Sequence, residues 1–292
     1  MFCDFQPMSQ NGVKRTVALV PYKLQLELTY NCNLNCLFCC APWNDHPELK
    51  GSELSTDGWK ASIKKYLNDN IKLITLTGGE PLLRNDFVEL ADFVASLPNA
   101  HQSCVYSNLQ LLDAKHERAL IGGRYVINTS LQGVQAWSRM TGVADQASLT
   151  VWKRNCTRLH SHGLSIITTI PVTKLTMPDV GDMVDFAFEA GSDIVQIGPM
   201  MIEGRAKFHP ELWLSFQEIQ EVEWQVEQLA VVYGDRIRPR YEFYCECRSD
   251  KVLPADVPKD IKLGSCTAAE EFIIIGPDGR RRKCMHTWEV LL

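Results

Sequence analysis

The chain has 292 residues, of which 45% are hydrophobic and 22% charged, with a formal net charge of −5. That length holds one large domain, or one with an appendage, and buries a sizeable core without staples. The mild negative charge marks out neither nucleic acid nor an anionic membrane as a partner. No apolar run is long enough to cross a bilayer. The opening "MFCDFQPMSQNGVKRT" has no basic stretch followed by an apolar one, so it does not read as a secretory signal and a cytoplasmic protein is expected.

Strand-like and helix-like stretches then alternate. "KLQLELT" (23–29) reads as a strand and "TDGWKASIKKYLND" (56–69) as a helix capped by Ser55 or Thr56. "IKLITLTGG" (71–79) is a strand ending in a glycine pair, followed by a helix over 85–97 and a strand over 103–108. A short helix (113–120), a strand (124–131), a helix closed by Gly163 (149–163) and a strand (164–172) come next. A helix over 178–191 and a strand over 193–200 complete six β/α units. Such alternation predicts a parallel sheet with crossover helices. Six strands are too few for a closed eight-stranded barrel. A curved, partly open α/β barrel is expected, with its site at the C-terminal ends of the strands.

The pattern changes after "EGRAKFHP" (203–210). Residues 214–234 read as a long helix, with Ser215 and Glu218 as a capping box and Gly234 as its stop. Trp224, Phe216 and Ile219 are its expected core residues. "EFIIIGPDGRRRKC" (271–284) reads as a hairpin turning at Pro277-Asp278-Gly279. The expected division is 1–208 for the barrel and 209–292 for a C-terminal extension.

The eleven cysteines are unevenly spread. Cys32, Cys36, Cys39 and Cys40 cluster after the first strand, and Cys245, Cys247, Cys266 and Cys284 lie near the C-terminus. Clustered thiols in a reducing compartment point to metal or Fe–S ligation rather than disulfides. Cys32, Cys36 and Cys39 form CxxxCxxC on one loop. Three thiolates hold three irons of a cubane and leave the fourth without a protein ligand, whereas a [4Fe–4S] cluster normally takes four cysteines. Cys40 adjoins Cys39, and neighbouring side chains diverge too far to share one cubane easily. Zinc is the competing reading, but it prefers four closed ligands, and neither His46 nor another nearby residue completes such a set. Cys3, Cys104 and Cys156 read as small core or surface residues.

"CNLNCLFC", with Phe38 just before the third cysteine, and "TGGEP" (77–81) after the second strand together resemble the radical S-adenosylmethionine (SAM) superfamily. The resemblance implies a partial (β/α)6 barrel over about two thirds of the chain. It implies a [4Fe–4S] cluster on Cys32, Cys36 and Cys39, with S-adenosyl-L-methionine as cofactor. Gly78 and Gly79 would allow close backbone approach to a ligand, and Glu80 would accept hydrogen bonds from the methionyl amino group. Ser130, in "NTSLQG" (128–133), matches a serine that contacts the ribose in relatives reading "SLDG", although Gln132 replaces the aspartate here. The implied reaction is reductive cleavage of SAM to a 5′-deoxyadenosyl radical, which takes a hydrogen atom from the substrate. An electron donor such as flavodoxin or ferredoxin is implied too. No catalytic acid, base or radical relay is named by the sequence.

"CTAAEEFIIIGPDGRRRKC" resembles the C…GxxxxC element of the SPASM and twitch extensions, which hold auxiliary Fe–S clusters. The resemblance implies a second [4Fe–4S] cluster with Cys245, Cys247, Cys266 and Cys284 as ligands, and His286 as a substitute. "RRRK" (280–283) reads as a solvated basic face, or alternatively as a contact for an anionic substrate or leader peptide. The substrate expectation leans to a peptide or protein. Oxidation or rearrangement of a small metabolite is the alternative, and a non-catalytic Fe–S or zinc protein the second function weighed. Only about twenty residues precede the first strand, so no leader-gripping module is expected there.

Overall fold

In the computed structural model the described residues are 21–41, 43–98, 101–143, 145–240, 256 and 271–284. Nine strands form one sheet in the order β7-β6-β5-β4-β3-β2-β1-β8-β9. They are β1 (Lys23–Glu27), β2 (Leu73–Thr77), β3 (Gln102–Tyr106), β4 (Val126–Ser130), β5 (Ile166–Val172), β6 (Ile194–Pro199), β7 (Ile237–Pro239), β8 (Phe272–Ile275) and β9 (Arg281–Arg282). Every pairing is parallel except β8 with β9. The helices are α1 (Thr56–Tyr66), α2 (Phe87–Ala95), α3 (Ala114–Gly122), α4 (Trp137–Thr141), α5 (Ala147–Ser161), α6 (Val180–Glu189) and α7 (Phe216–Tyr233).

The six expected β/α units are present. Ser55 caps α1 by accepting from the Gly58 amide, and Ser215 and Glu218 form the capping box of α7. The sheet's two faces differ in chemistry because side chains alternate along each strand. Leu24, Leu26, Ile74, Leu76, Val105, Ile127, Ile170 and Ile197 pack outward against helix residues such as Trp59, Phe87, Leu120, Trp152 and Val184. The inner face carries Gln25, Glu27, Thr75, Thr77, Asn128 and Thr169, all buried. The polar–apolar alternation of "KLQLE" reports this two-sided environment: a helix-covered back and a polar lumen.

The hairpin is continuous with the barrel. Strand β8 adds in parallel to β1, with Gln25 opposite Ile274. It brings Arg282 inward, only 3% exposed, with Nε 3.7 Å from Oε2 of the fully buried Glu27. The same guanidinium lies over the Trp43 ring, 5.1 Å from its centroid. Gly276 leaves room for the guanidinium here, since a Cβ would sit 2.3 Å from Arg282 Nε and push the side chain aside. The solvated-face expectation for 280–283 therefore fails at Arg282: a buried carboxylate needs a partner more than the side chain needs water. Trp224 is also misplaced as core, being 57% exposed, while Ile219 is buried as expected. The core stripe of α7 runs through Ile219, Val222 and Val226, and Trp224 falls off it.

No helix among the described residues is long and apolar enough to cross a membrane.

Candidate active site

The C-terminal ends of β1 to β6 open into one pocket. Its walls include Cys32, Cys36, Cys39, Phe38, Gly78, Gly79, Glu80, Asn128, Ser130, Gln132, Met200 and Arg205. All eight residues expected to hold the first cluster and SAM thus line a single cavity: the three cysteines, Phe38, the two glycines, Glu80 and Ser130.

The cysteine loop is held along its length. At its start Glu53 accepts from the Thr29 hydroxyl and the Tyr30 amide, both at 2.8 Å. In the middle the amides of Asn35 and Leu37 donate to the carbonyls of Thr141 (2.9 Å) and Met140 (3.0 Å) at the end of α4. At its end the Arg205 amide donates to the Cys39 carbonyl at 3.0 Å. Phe38 packs with the small cluster of Met140, Met200, Ala206 and Leu212.

Burial pushes the three thiols up. Cys32 rises to about 11, with Glu80 adding to the effect. Cys36 lies well above the usual thiol value, with Cys39 and Cys32 adding repulsion. Cys39 reaches about 12, with Cys40 as the second cause. Three half-buried thiols that oppose each other's ionisation form a donor set that a cationic centre would turn into thiolates. That chemistry fits a [4Fe–4S] cluster. Cys40 packs instead towards the Phe272, Ile274 and Cys284 group of the hairpin.

The glycine pair has a role that the sequence did not reveal. A Cβ on Gly79 would sit 2.1 Å from the Asn31 carbonyl oxygen, and one on Gly78 2.8 Å from that of Thr29. Gly78 also has φ +138°, a conformation that side chains disfavour. What the glycines admit at close range is the backbone leading into the cysteine loop. The Gly79 and Glu80 amides donate to the Thr29 and Asn31 carbonyls at 2.8 and 2.7 Å.

Glu80 itself is 1% exposed. Its carboxylate accepts from the Ser107 hydroxyl (2.8 Å), the Asn108 amide (2.8 Å) and the Leu82 amide (3.1 Å). Burial nevertheless raises its pKa to about 7, against three neutral donors. All three of these donors to the carboxylate are uncharged. Ser107 and Asn108 were read from sequence only as the end of a strand; β3 stops at Tyr106, and the turn that follows supplies these donors. At β4, the Gln132 amide nitrogen bonds to the Ser130 hydroxyl. The other amide atom, Oε1, is buried without a partner among the described residues, as is Asn128 Oδ1.

Of the expected auxiliary ligands, Cys245, Cys247 and Cys266 lie outside the described residues, as do His286 and Cys3. Cys284 is buried, at the end of the hairpin. Cys104 and Cys156 are buried core residues, as expected.

A parallel, open α/β barrel with three thiols after its first strand and a buried acid after its second defines a class of cluster-dependent proteins. The Radical SAM superfamily model matches residues 26–187, more than half of the chain, and the chain belongs to that superfamily. It is 28% identical over 241 residues to the sporulation killing factor maturation protein SkfB of Bacillus subtilis, covering 80% of this chain and 55% of SkfB. It is 26% identical over 282 residues to the PqqA peptide cyclase of Gluconobacter oxydans, covering 94% of this chain and 73% of that enzyme. A GTP 3',8-cyclase of Clostridium perfringens is 26% identical over 272 residues, covering 90% and 80% of the two chains. Among solved structures, Streptococcus suis SuiB bound to the precursor peptide SuiA superposes with TM-score 0.68 at 17% identity, covering 91% of this chain and 60% of SuiB. The chain thus spans little more than half the length of SkfB and SuiB. The superfamily implies a [4Fe–4S] cluster and SAM.

Proposed function

We propose that this protein is a radical SAM enzyme that modifies a peptide or protein substrate. The observation that carries the proposal is the convergence of three half-buried thiols and a buried carboxylate on one pocket. Cys32, Cys36 and Cys39 would hold the cluster, Glu80 would receive the methionyl ammonium, and Ser130, oriented by Gln132, would meet the ribose. When bound, the cluster and SAM supply reductive cleavage to a 5′-deoxyadenosyl radical. The chain's own task is to hold the substrate against that centre and keep water away. Thr77, Tyr106, Asn128 and Thr169 present the uncharged polar groups for this, beside Leu34, Pro171 and Met201.

Two points support a peptide. PqqA peptide cyclase is named for a peptide, and SuiB is seen bound to the precursor peptide SuiA. Among the described lining residues the only Lys or Arg is Arg205, which Asp45 already engages. A nucleotide triphosphate would require more positive charge. The GTP 3',8-cyclase relative keeps a small-molecule substrate as the second reading. An auxiliary cluster on Cys284 and the other C-terminal cysteines, a flavodoxin or ferredoxin donor and a cytoplasmic location complete the proposal. The test is anaerobic turnover with short peptides encoded beside this gene and, separately, with GTP. Substrate-dependent mass change in a peptide supports the proposal, and GTP consumption with no peptide change overturns it.

A further inference from the structure

The loop after β6 reaches back across the pocket to the cysteine loop. Gly204, at φ +57°, makes the turn possible: a Cβ there would meet the carbonyl oxygens of Cys39 at 2.3 Å and Cys40 at 2.7 Å. The next residue, Arg205, then touches the loop twice. Its amide donates to the Cys39 carbonyl at 3.0 Å, and Nη1 donates to the Cys36 carbonyl at 3.2 Å. The rest of the guanidinium is occupied by Asp45, to which Nε donates at 2.7 Å and Nη2 also donates. The arginine side chain is only 11% exposed, whereas Asp45 is 46% exposed. Its positive charge is therefore fixed against the pocket wall, and its counter-charge sits towards water.

We infer that Arg205 is a positioning residue for the first cluster: it clamps the loop at Cys36 and Cys39, and its fixed charge favours the reduced cluster. This rests on the proposed cluster site. A guanidinium fork is suited to holding a carbonyl and a carboxylate at once, and a lysine is not. Opposing charge also favours any added negative charge nearby.

The test is a one-electron redox titration of the anaerobically reconstituted full chain, followed on the EPR signal that SAM perturbs. Iron, sulfide and hydrogen exchange of residues 36–40 are measured in parallel. Arg205→Met should lower the reduced-to-oxidised ratio at fixed poise about tenfold, or 59 mV for one electron. That is the order of one charge at about 10 Å and an effective dielectric near 20. Arg205→Lys should restore most of the ratio while leaving the loop amides exchanging faster than in wild type. Asp45→Asn should shift the ratio the opposite way, because it removes the opposing charge and leaves the guanidinium. An unchanged potential in a fully loaded Arg205→Met, or a lysine variant as shifted as the methionine one, overturns the inference. Should the methionine variant load no cluster, Asp45→Asn decides: an upward shift supports the inference and no shift overturns it. A wild-type protein with no SAM-responsive cluster would sink the site assignment itself, a separate outcome.

Discussion

Replacing Glu80 with glutamine tests whether its buried charge, rather than its shape, receives the methionyl ammonium. The two side chains are nearly isosteric. In the wild type one carboxylate oxygen accepts from Leu82 and Ser107 and the other from the Asn108 amide. Glutamine keeps the first oxygen but turns an NH2 towards the Asn108 amide, so one hydrogen bond is lost along with the charge. A charge-assisted hydrogen bond is worth about 1.5–3 kcal/mol, so SAM affinity should fall about tenfold to a hundredfold. A pH signature accompanies it. Burial raises the Glu80 pKa to about 7, from the ordinary carboxylate value of 4.5. Below pH 7 the acid must lose a proton before it can pair with an ammonium, so wild-type affinity should rise with pH up to about 7 and then flatten. The SAM amine's own titration is common to both proteins, so the difference in slope isolates Glu80. Stability runs the other way. The neutral acid is favoured in the folded state, so its contribution is full below pH 4.5 and is lost as pH rises through 7, by about 3 kcal/mol. Anaerobic calorimetric titration of SAM at pH 6, 7 and 8, with wild type and Glu80→Gln, gives both readouts. Equal affinities and parallel pH slopes would refute the ammonium assignment.

Two further predictions concern the loop and the tail. Gly79→Ala forces a Cβ against the Asn31 carbonyl, 2.1 Å away; it should cost about 3 kcal/mol in denaturant unfolding and reduce iron loading, whereas Gly181→Ala, with open space at its Cβ, should do neither. Iron should be near eight per wild-type chain, from two cubanes of about four irons each, and should fall by half in a Cys266→Ala, Cys284→Ala double variant that still cleaves SAM. Wild-type iron near four, with one cluster's spectrum, would remove the auxiliary cluster.

The β/α rhythm and the first site were legible because they are local. A β-branched run, a capping serine and CxxxCxxC each need only a few neighbouring residues. Gln25 and Glu27 alternate with leucines for a reason the sequence also carries, namely a sheet with one polar face. What was hidden is long-range. Nothing in "EFIIIG" says that β8 will lie parallel to β1, or that Arg282 will meet Glu27 across some 250 residues of chain. Strand β7 was missed because Ile237–Pro239 has three residues and no periodicity. Arg205 was seen only as part of the join after β6; its partners Asp45 and Cys36 lie 160 and 169 positions away. Trp224 was misjudged on its bulk, where its angular position on α7 decides.

The most direct measurement of the central claim is 5′-deoxyadenosine released from SAM by dithionite-reduced, anaerobically reconstituted protein, compared with Cys36→Ala. Wild type should form it and the variant should form none while remaining folded by circular dichroism. No product from cluster-loaded wild type, or an equal yield from the variant, would contradict the account.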